Sequence, residues 1–263
     1  MIRRLAGRLL GRSAPLLPDP DSPLVAIGDV HGCHGQLCEL LERTAGWMED
    51  RTQLVFLGDL VDRGPHSAAV LDLAMEITAL RPGRSEALMG NHERMMLDFL
   101  AGKERSDRWL AHGGADTLAS FGLAVPPAEE LAEPGTVEAL AAAAREAVGG
   151  ARIEWLSSRP LFVQNGDVIA VHAAWSARRS AERQDPELLI WGHPDFYRHK
   201  RREPPWIVHG HVVTRPARAE GTRIAVDSGA YLGGGLTAVR LAPGAPPEFR
   251  CAGGPDQDLP APR

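Results

Sequence analysis

Short apolar runs alternate with stretches of helical spacing through the first hundred residues. The run LVAIGDV, from Leu24, reads as a buried strand. In the stretch GQLCELLERTAGW that follows, Leu37, Leu40 and Leu41 fall on one face of a helix. TQLVFLGDL predicts a second buried strand, and PHSAAVLDLAMEITAL a helix with Pro65 in its first turn. EALMGN is a weaker third strand, and HERMMLDFLAG resumes as helix. Such alternation predicts parallel strand pairing with helices on the sheet faces.

From about residue 106 to 150 the strand signals vanish. RWLAHGGADTLASFG and TVEALAAAAREAVGG have helical patterns, joined by VPPAEE, and are expected to form a helical insertion over one end of the sheet. Strands return in PLFVQNGDVIAVH, where NGD marks a hairpin turn, and in WIVHGHV, TRIAVDSG and GLTAVRL. The domain is expected to span 23–245. Residues 1–22 read as a basic, proline-rich tail, and 246–263 as a tail without order.

Composition narrows the class. A chain that is 44% hydrophobic can build one substantial core. The formal charge of −5 argues against nucleic acid as the partner. Three cysteines, Cys33, Cys38 and Cys251, make no disulfide framework and fit a reducing, cytoplasmic setting. No apolar run is long enough to span a bilayer. The basic start MIRRLAGRLLGRSAP is a candidate for surface association only.

The first three strands end alike, in glycine followed by metal-compatible side chains: GDVHG, GDLVDRG and GNHE. Ligands bind beyond the carboxyl ends of strands in open α/β sheets. Convergence there gathers Asp29, His31, Asp59, Asp62, Asn91 and His92. On an extended chain, side chains two residues apart point the same way, so Asp29 and His31 are expected to grip one ion from one side. VIAVHAA adds His172, and WIVHGHV adds His209 and His211. Oxygen and imidazole donors without thiolate suit Mn, Fe, Zn or Mg. Their number exceeds the needs of one ion. Two ions sharing a carboxylate, about 3.5–4 Å apart, would use them, as in phosphoester hydrolysis.

These three blocks resemble the signature blocks of the calcineurin-like metallophosphoesterases, and more narrowly the phosphoprotein phosphatase branch with its bacterial and phage lambda-type members. VHAA is similar to that family's Val-His-Ala-Gly block, VHGHV to its Gly-His block, and AVDSGAYLGGGLTAVRL to the closing segment of the bacterial members. The resemblance runs in order from Leu24 to Leu241. It implies an α/β sandwich of four layers, αββα, with mixed sheets flanked by helices. It implies two divalent ions, manganese first among them, with Asp29 and His31 on one, Asp59 bridging, and Asn91, His172 and His211 on the other. Arg63 would steady phosphate oxygens. Asp62 would orient His92, the proton donor to the leaving oxygen. The implied reaction is attack of a metal-bridging hydroxide on a phosphomonoester, without a phosphoenzyme. A phosphorylated protein is the first substrate and serine/threonine phosphatase the first activity. Dinucleoside polyphosphate hydrolysis is the alternative, although relatives of that kind typically carry Gln where His31 stands. A phosphoester-binding module with little turnover is a further reading, and a nuclease is disfavoured by the charge.

The chain also departs from the family. Ala174 replaces a usual Gly, and Val212 and Val213 stand where many bacterial members have Thr-Pro. Related bacterial enzymes place a second phosphate-clamping arginine where His193 stands, so His193, Arg198 or Arg201 is expected to fill that role. Tyr231 is expected at the edge of the substrate cleft or as a hydrogen-bonded core residue. His209 and the stretch GGADTLASFG are assigned to packing, and RHKRRE to a solvated loop.

Overall fold

The central strands are buried on both faces, as their unbroken apolar runs require. The computed structural model describes residues 16–103, 106–198 and 201–254. The basic segment proposed for surface association therefore lies outside the described residues. One sheet has the order β10-β9-β1-β2-β3, built from β1 (Leu24–Ile27), β2 (Gln53–Phe56), β3 (Ser85–Ala87), β9 (Leu236–Leu241) and β10 (Glu248–Ala252). The other has the order β4-β5-β6-β8-β7, from β4 (Phe162–Asn165), β5 (Val168–Val171), β6 (Trp206–His209), β7 (Arg218–Glu220) and β8 (Arg223–Ala225). Strands β1, β2 and β3 run parallel, as do β5, β6 and β8, while β9, β10, β4 and β7 pair antiparallel with their neighbours.

The twofold alternation along β1 and β2 divides the core. Leu24, Ala26, Val55 and Leu57 face the other sheet and pack with Val168, Ala170, Val208 and Ile224. Val25, Ile27, Leu54 and Phe56 face helices, among them α1 (His34–Thr44), α2 (Ser67–Leu80) and α3 (Asn91–Leu100). On the far side, Ile169, Val171 and Ile207 meet Leu189 and Phe196. The layers are helix, sheet, sheet, helix, the mixed sandwich expected.

The helices of the 106–150 stretch do not form a separate cap. They are α4 (Ala115–Ser120), α5 (Ala128–Leu131) and α6 (Thr136–Val148), continued by α7 (Gly150–Ser157). Leu118, Leu140, Ala144, Val148 and Leu156 belong to the same apolar cluster as α2 and α3, so these helices extend the layer over the first sheet. Two further short helices, α8 (Pro186–Trp191) and α9 (Pro194–Arg198), cover the second sheet.

Four boundaries differ from the sequence reading. Pro65 precedes the helix, because His66 is the N-cap of α2. The strand predicted over EALMGN is Ser85–Ala87, which takes in only the first two residues of that stretch. Residues 16–22 are docked: Pro18 and Pro20 are buried, and the Asp19 and Asp21 amides donate to Asp167 Oδ1 and Asn165 Oδ1, both at 2.8 Å. The segment after 245 is not all tail, since Glu248–Ala252 pairs with β9 and buries Ala252. Proline and glycine around a five-residue strand hid it.

Ending the chain at Pro247 removes β10, uncovers the edge of β9 and strips Phe249 from the core. Urea unfolding should show a loss of about 3 kcal/mol or more, or an insoluble product.

Candidate active site

Parallel strands deliver their carboxyl ends to one edge, and the loops that leave β1, β2, β3, β5, β6 and β8 meet there. Among the described residues, the non-glycine positions with positive φ are His31 (45°), Asp59 (50°), Asp62 (75°), Arg63 (69°) and His211 (65°). Each such residue costs about 1–3 kcal/mol and persists only where its surroundings enforce it. All five had been singled out for chemistry.

Glu93, in the first turn of α3, supplies that enforcement. Its carboxylate is fully buried and accepts the amides of Asp59 (2.8 Å), Leu60 (2.7 Å), Val61 (3.3 Å) and Gly90 (2.9 Å). Burial and the nearby Asp59 charge push Glu93 up to about 7, against the pull of those backbone donors. The loop's carbonyls are used as well. His31 Nδ1 donates to Val61 O (2.8 Å) and His172 Nδ1 to Leu57 O (2.9 Å). Each ring therefore carries its hydrogen on Nδ1 and turns the Nε2 lone pair into the site.

Two groups of candidate metal ligands share Asp59: one with His31 and His92, the other with His172 and His211. Asp59 Oδ2 lies 3.6 Å from His31 Nε2 and 3.9 Å from His92 Nε2, while Oδ1 lies 3.5 Å from His172 Nε2. Asn91 Oδ1 completes the second group, 3.0 Å from His172 Nε2 and 2.9 Å from His211 Nδ1. His172 Nε2 and Asn91 Oδ1 are both acceptors, so their approach calls for a cation beside them. Burial pulls His31 down to about 3, His211 to about 4 and His172 below its ordinary value, which leaves neutral rings fit to ligate. Burial pushes Asp59 up, but His172, His92 and His31 outweigh it and hold the carboxyl low. The donor set fits divalent cations.

Beside these groups, His92 Nδ1 bonds Asp62 Oδ2 at 2.6 Å. Burial pulls His92 down, yet Asp59 and Asp62 more than compensate, and the ring sits above its ordinary value. The Arg63 guanidinium reaches His31 Nε2 (3.1 Å) and His92 Nε2 (3.0 Å) and lies 4.5 Å over the Tyr231 ring. Tyr231 also meets the His31 ring edge-on, so it stands at the cleft rather than in the core.

The calcineurin-like phosphoesterase model matches residues 22–232. The chain belongs to the calcineurin-like phosphoesterase family. An asymmetrical bis(5'-nucleosyl)-tetraphosphatase, PrpE, from Bacillus velezensis is 30% identical over 240 residues, covering 82% of this chain and 87% of that one. Among solved structures, one titled a putative diadenosine tetraphosphatase aligns with a TM-score of 0.62 at 21% identity, covering 90% of this chain and 96% of its own. A serine/threonine phosphatase from Saccharomyces cerevisiae aligns with a TM-score of 0.57 at 20% identity, covering 91% and 78%. Both structures share the fold.

The remaining residues singled out in the sequence take these places. Asp29 is buried, and burial together with the nearby Asp227 and Asp59 pushes its carboxyl well up; it accepts the His211 amide at 2.9 and 3.2 Å. Gly210 makes room, since a Cβ there would collide with Asp29 Oδ1. His193 is exposed and accepts the Asp195 amide. Arg201 bonds Pro205 O, and Arg198 is exposed at the end of α9. His209 does pack, against Phe196 and Tyr197. Glu93 and Asp227 went unassigned. Asp227 is pushed up to about 6, chiefly by burial and also by Asp59. The GNHE block contained Glu93, but only the fold shows that its carboxylate is buried. Nor is GGADTLASFG mere packing: Thr117 Oγ1 donates to Asp62 Oδ1 at 2.7 Å, as Trp109 Nε1 does to Oδ2, also at 2.7 Å. Among the described residues no helix is long and apolar enough to cross a membrane.

Manganese at about a hundred times its dissociation constant should stabilise the fold by about 2.7 kcal/mol in thermal melts. Asp59→Asn, which weakens both groups at once, should abolish most of that shift. An unchanged shift would mean that the ion binds elsewhere.

Proposed function

We propose that the chain hydrolyses the polyphosphate bridge of dinucleoside polyphosphates, with a dinucleoside tetraphosphate as the model substrate. The relative that is 30% identical across most of the chain carries this reading, because its name states that activity. The phosphatase signature blocks kept a phosphorylated protein in first place on sequence alone, and the relative moves the alternative ahead of it. His31 does not oppose this reading, since its Nε2 lies within the ligand group around Asp59.

The chain's own residues divide the work. Two divalent cations held by Asp29, His31, Asp59, Asn91, His172 and His211 would neutralise phosphate oxygens and activate the attacking water. Arg63 presents two guanidinium nitrogens on one side of the cleft, suited to a pair of phosphate oxygens. Tyr231 lies under its planar face and limits its swing. His92 holds its Nδ1 hydrogen on Asp62 and turns Nε2 to the cleft, where it can give a proton to the departing oxygen.

Manganese-loaded protein should cleave diadenosine tetraphosphate with a kcat/KM at least about tenfold above that for a phosphothreonine peptide, a preference of about 1.4 kcal/mol. Chromatography should find ATP with AMP, the unequal split. Preference for the phosphopeptide would overturn this reading and restore the protein phosphatase. Turnover of neither substrate, with metal bound, would leave the binding module.

A further inference from the structure

The segment 109–117 meets the Asp62–Arg63 pair through three separate groups. The Trp109 indole donates to Asp62 Oδ2 at 2.7 Å, the oxygen that also accepts from His92. Thr117 Oγ1 donates to Asp62 Oδ1 at 2.7 Å and accepts the Asp62 amide at 2.8 Å. Gly113 O accepts the Arg63 amide at 3.4 Å. Two glycines permit this approach. A Cβ on Gly113, itself at φ 105°, would lie 2.5 Å from the Arg63 nitrogen, and one on Gly114 would collide with the Trp109 ring.

We propose that Trp109 and Thr117 are positioning residues for the hydrolytic step: they aim the Asp62 carboxylate, and through it the His92 ring, at the leaving oxygen. Geometry carries the inference. Asp62 is fully buried, so its carboxylate finds no water to set its orientation. An indole N–H only donates and a buried one needs an acceptor, which holds Oδ2 between Trp109 and His92. Thr117 holds the other oxygen, so rotation about the Asp62 side chain breaks a bond in either direction. His92 Nδ1 is then the donor to Oδ2, and Nε2, 3.0 Å from the Arg63 guanidinium, is the ring nitrogen on the cleft side. Asp62 and Arg63 are consecutive residues in left-handed backbone, and Thr117 and Gly113 bind the amides of both. The helical segment thereby acts on the chemistry without touching substrate.

This inference rests on the assignment of His92 as proton donor, and one experiment separates the two. Manganese-loaded wild type, Thr117→Val, Thr117→Ser and Trp109→Phe are compared on nitrophenyl phosphate and on phenyl phosphate, whose leaving oxygen is more basic and needs the proton more. Thr117→Val keeps the shape and loses the hydroxyl. Its kcat on phenyl phosphate should fall about tenfold further than on nitrophenyl phosphate, with KM unchanged within about twofold. Thr117→Ser should restore the wild-type ratio, and Trp109→Phe should behave as Thr117→Val does. Melting curves establish that each variant folds, and if Trp109→Phe does not, the two Thr117 variants decide. Equal losses on both esters, or a serine variant no better than the valine one, would overturn the inference alone. A wild type that hydrolyses neither ester would overturn this inference, while the polyphosphate reading stands or falls on diadenosine tetraphosphate.

Discussion

The grip of Glu93 on the loop after β2 is the interaction on which the site depends. Four backbone amides end on its carboxylate, three from residues 59–61 and one from Gly90. At left-handed Asp59 the chain has left the sheet, so these amides have no ladder to join, and buried without a partner each would cost about 1–3 kcal/mol. The acid sits in the first turn of α3, where a negative charge is favoured by the helix dipole. It also ties the loop after β2 to the loop after β3. Asp59, Asn91 and His92 are thereby fixed relative to one another. The same loop accepts the His31 and His172 rings on its carbonyls, so donors and acceptors on one short stretch bind residues from three others.

Much of the fold was legible in the sequence, because strands with two buried faces must be apolar throughout and the helices between them show their spacing. Leu24 to Ile27 illustrates both: an unbroken run whose alternate residues serve two different cores. The short polar strands were not legible. Arg218–Glu220 and Glu248–Ala252 lie at sheet edges, where little burial is required and no pattern is imposed. The site was legible as a set of residues and less so as a geometry. GDVHG named Asp29 and His31 correctly as neighbours of the centre. The rule that pairs side chains two apart assumes extended backbone, and His31 is left-handed.

The residues that sequence reasoning passed over share one property. Glu93, Thr117, Trp109 and Asp227 do their work through hydrogen bonds or charge acting at a distance in sequence, and their types alone do not reveal it. Threonine in a helical stretch reads as packing. Only the approach of Asp62, 55 residues away in the chain, gives its hydroxyl a task. His193 is the reverse case. Its position relative to a family pattern suggested a clamp, but the turn between α8 and α9 leaves it on the surface.

Arg63, the proposed phosphate-binding residue, stands among acids. The buried acids Asp29, Asp59, Asp227 and Glu93 lie around the same centre. Burial and mutual repulsion push Asp29, Asp227 and Glu93 up, the mark of acids crowded around one centre. In their charged forms these acids would repel a phosphate, and two divalent cations would reverse that sign. Arg63 is bonded to the rings of His31 and His92 and to the face of Tyr231 rather than to a carboxylate. Its charge is not held in a direct ion pair with a carboxylate, the arrangement that suits the phosphate-binding role proposed for it.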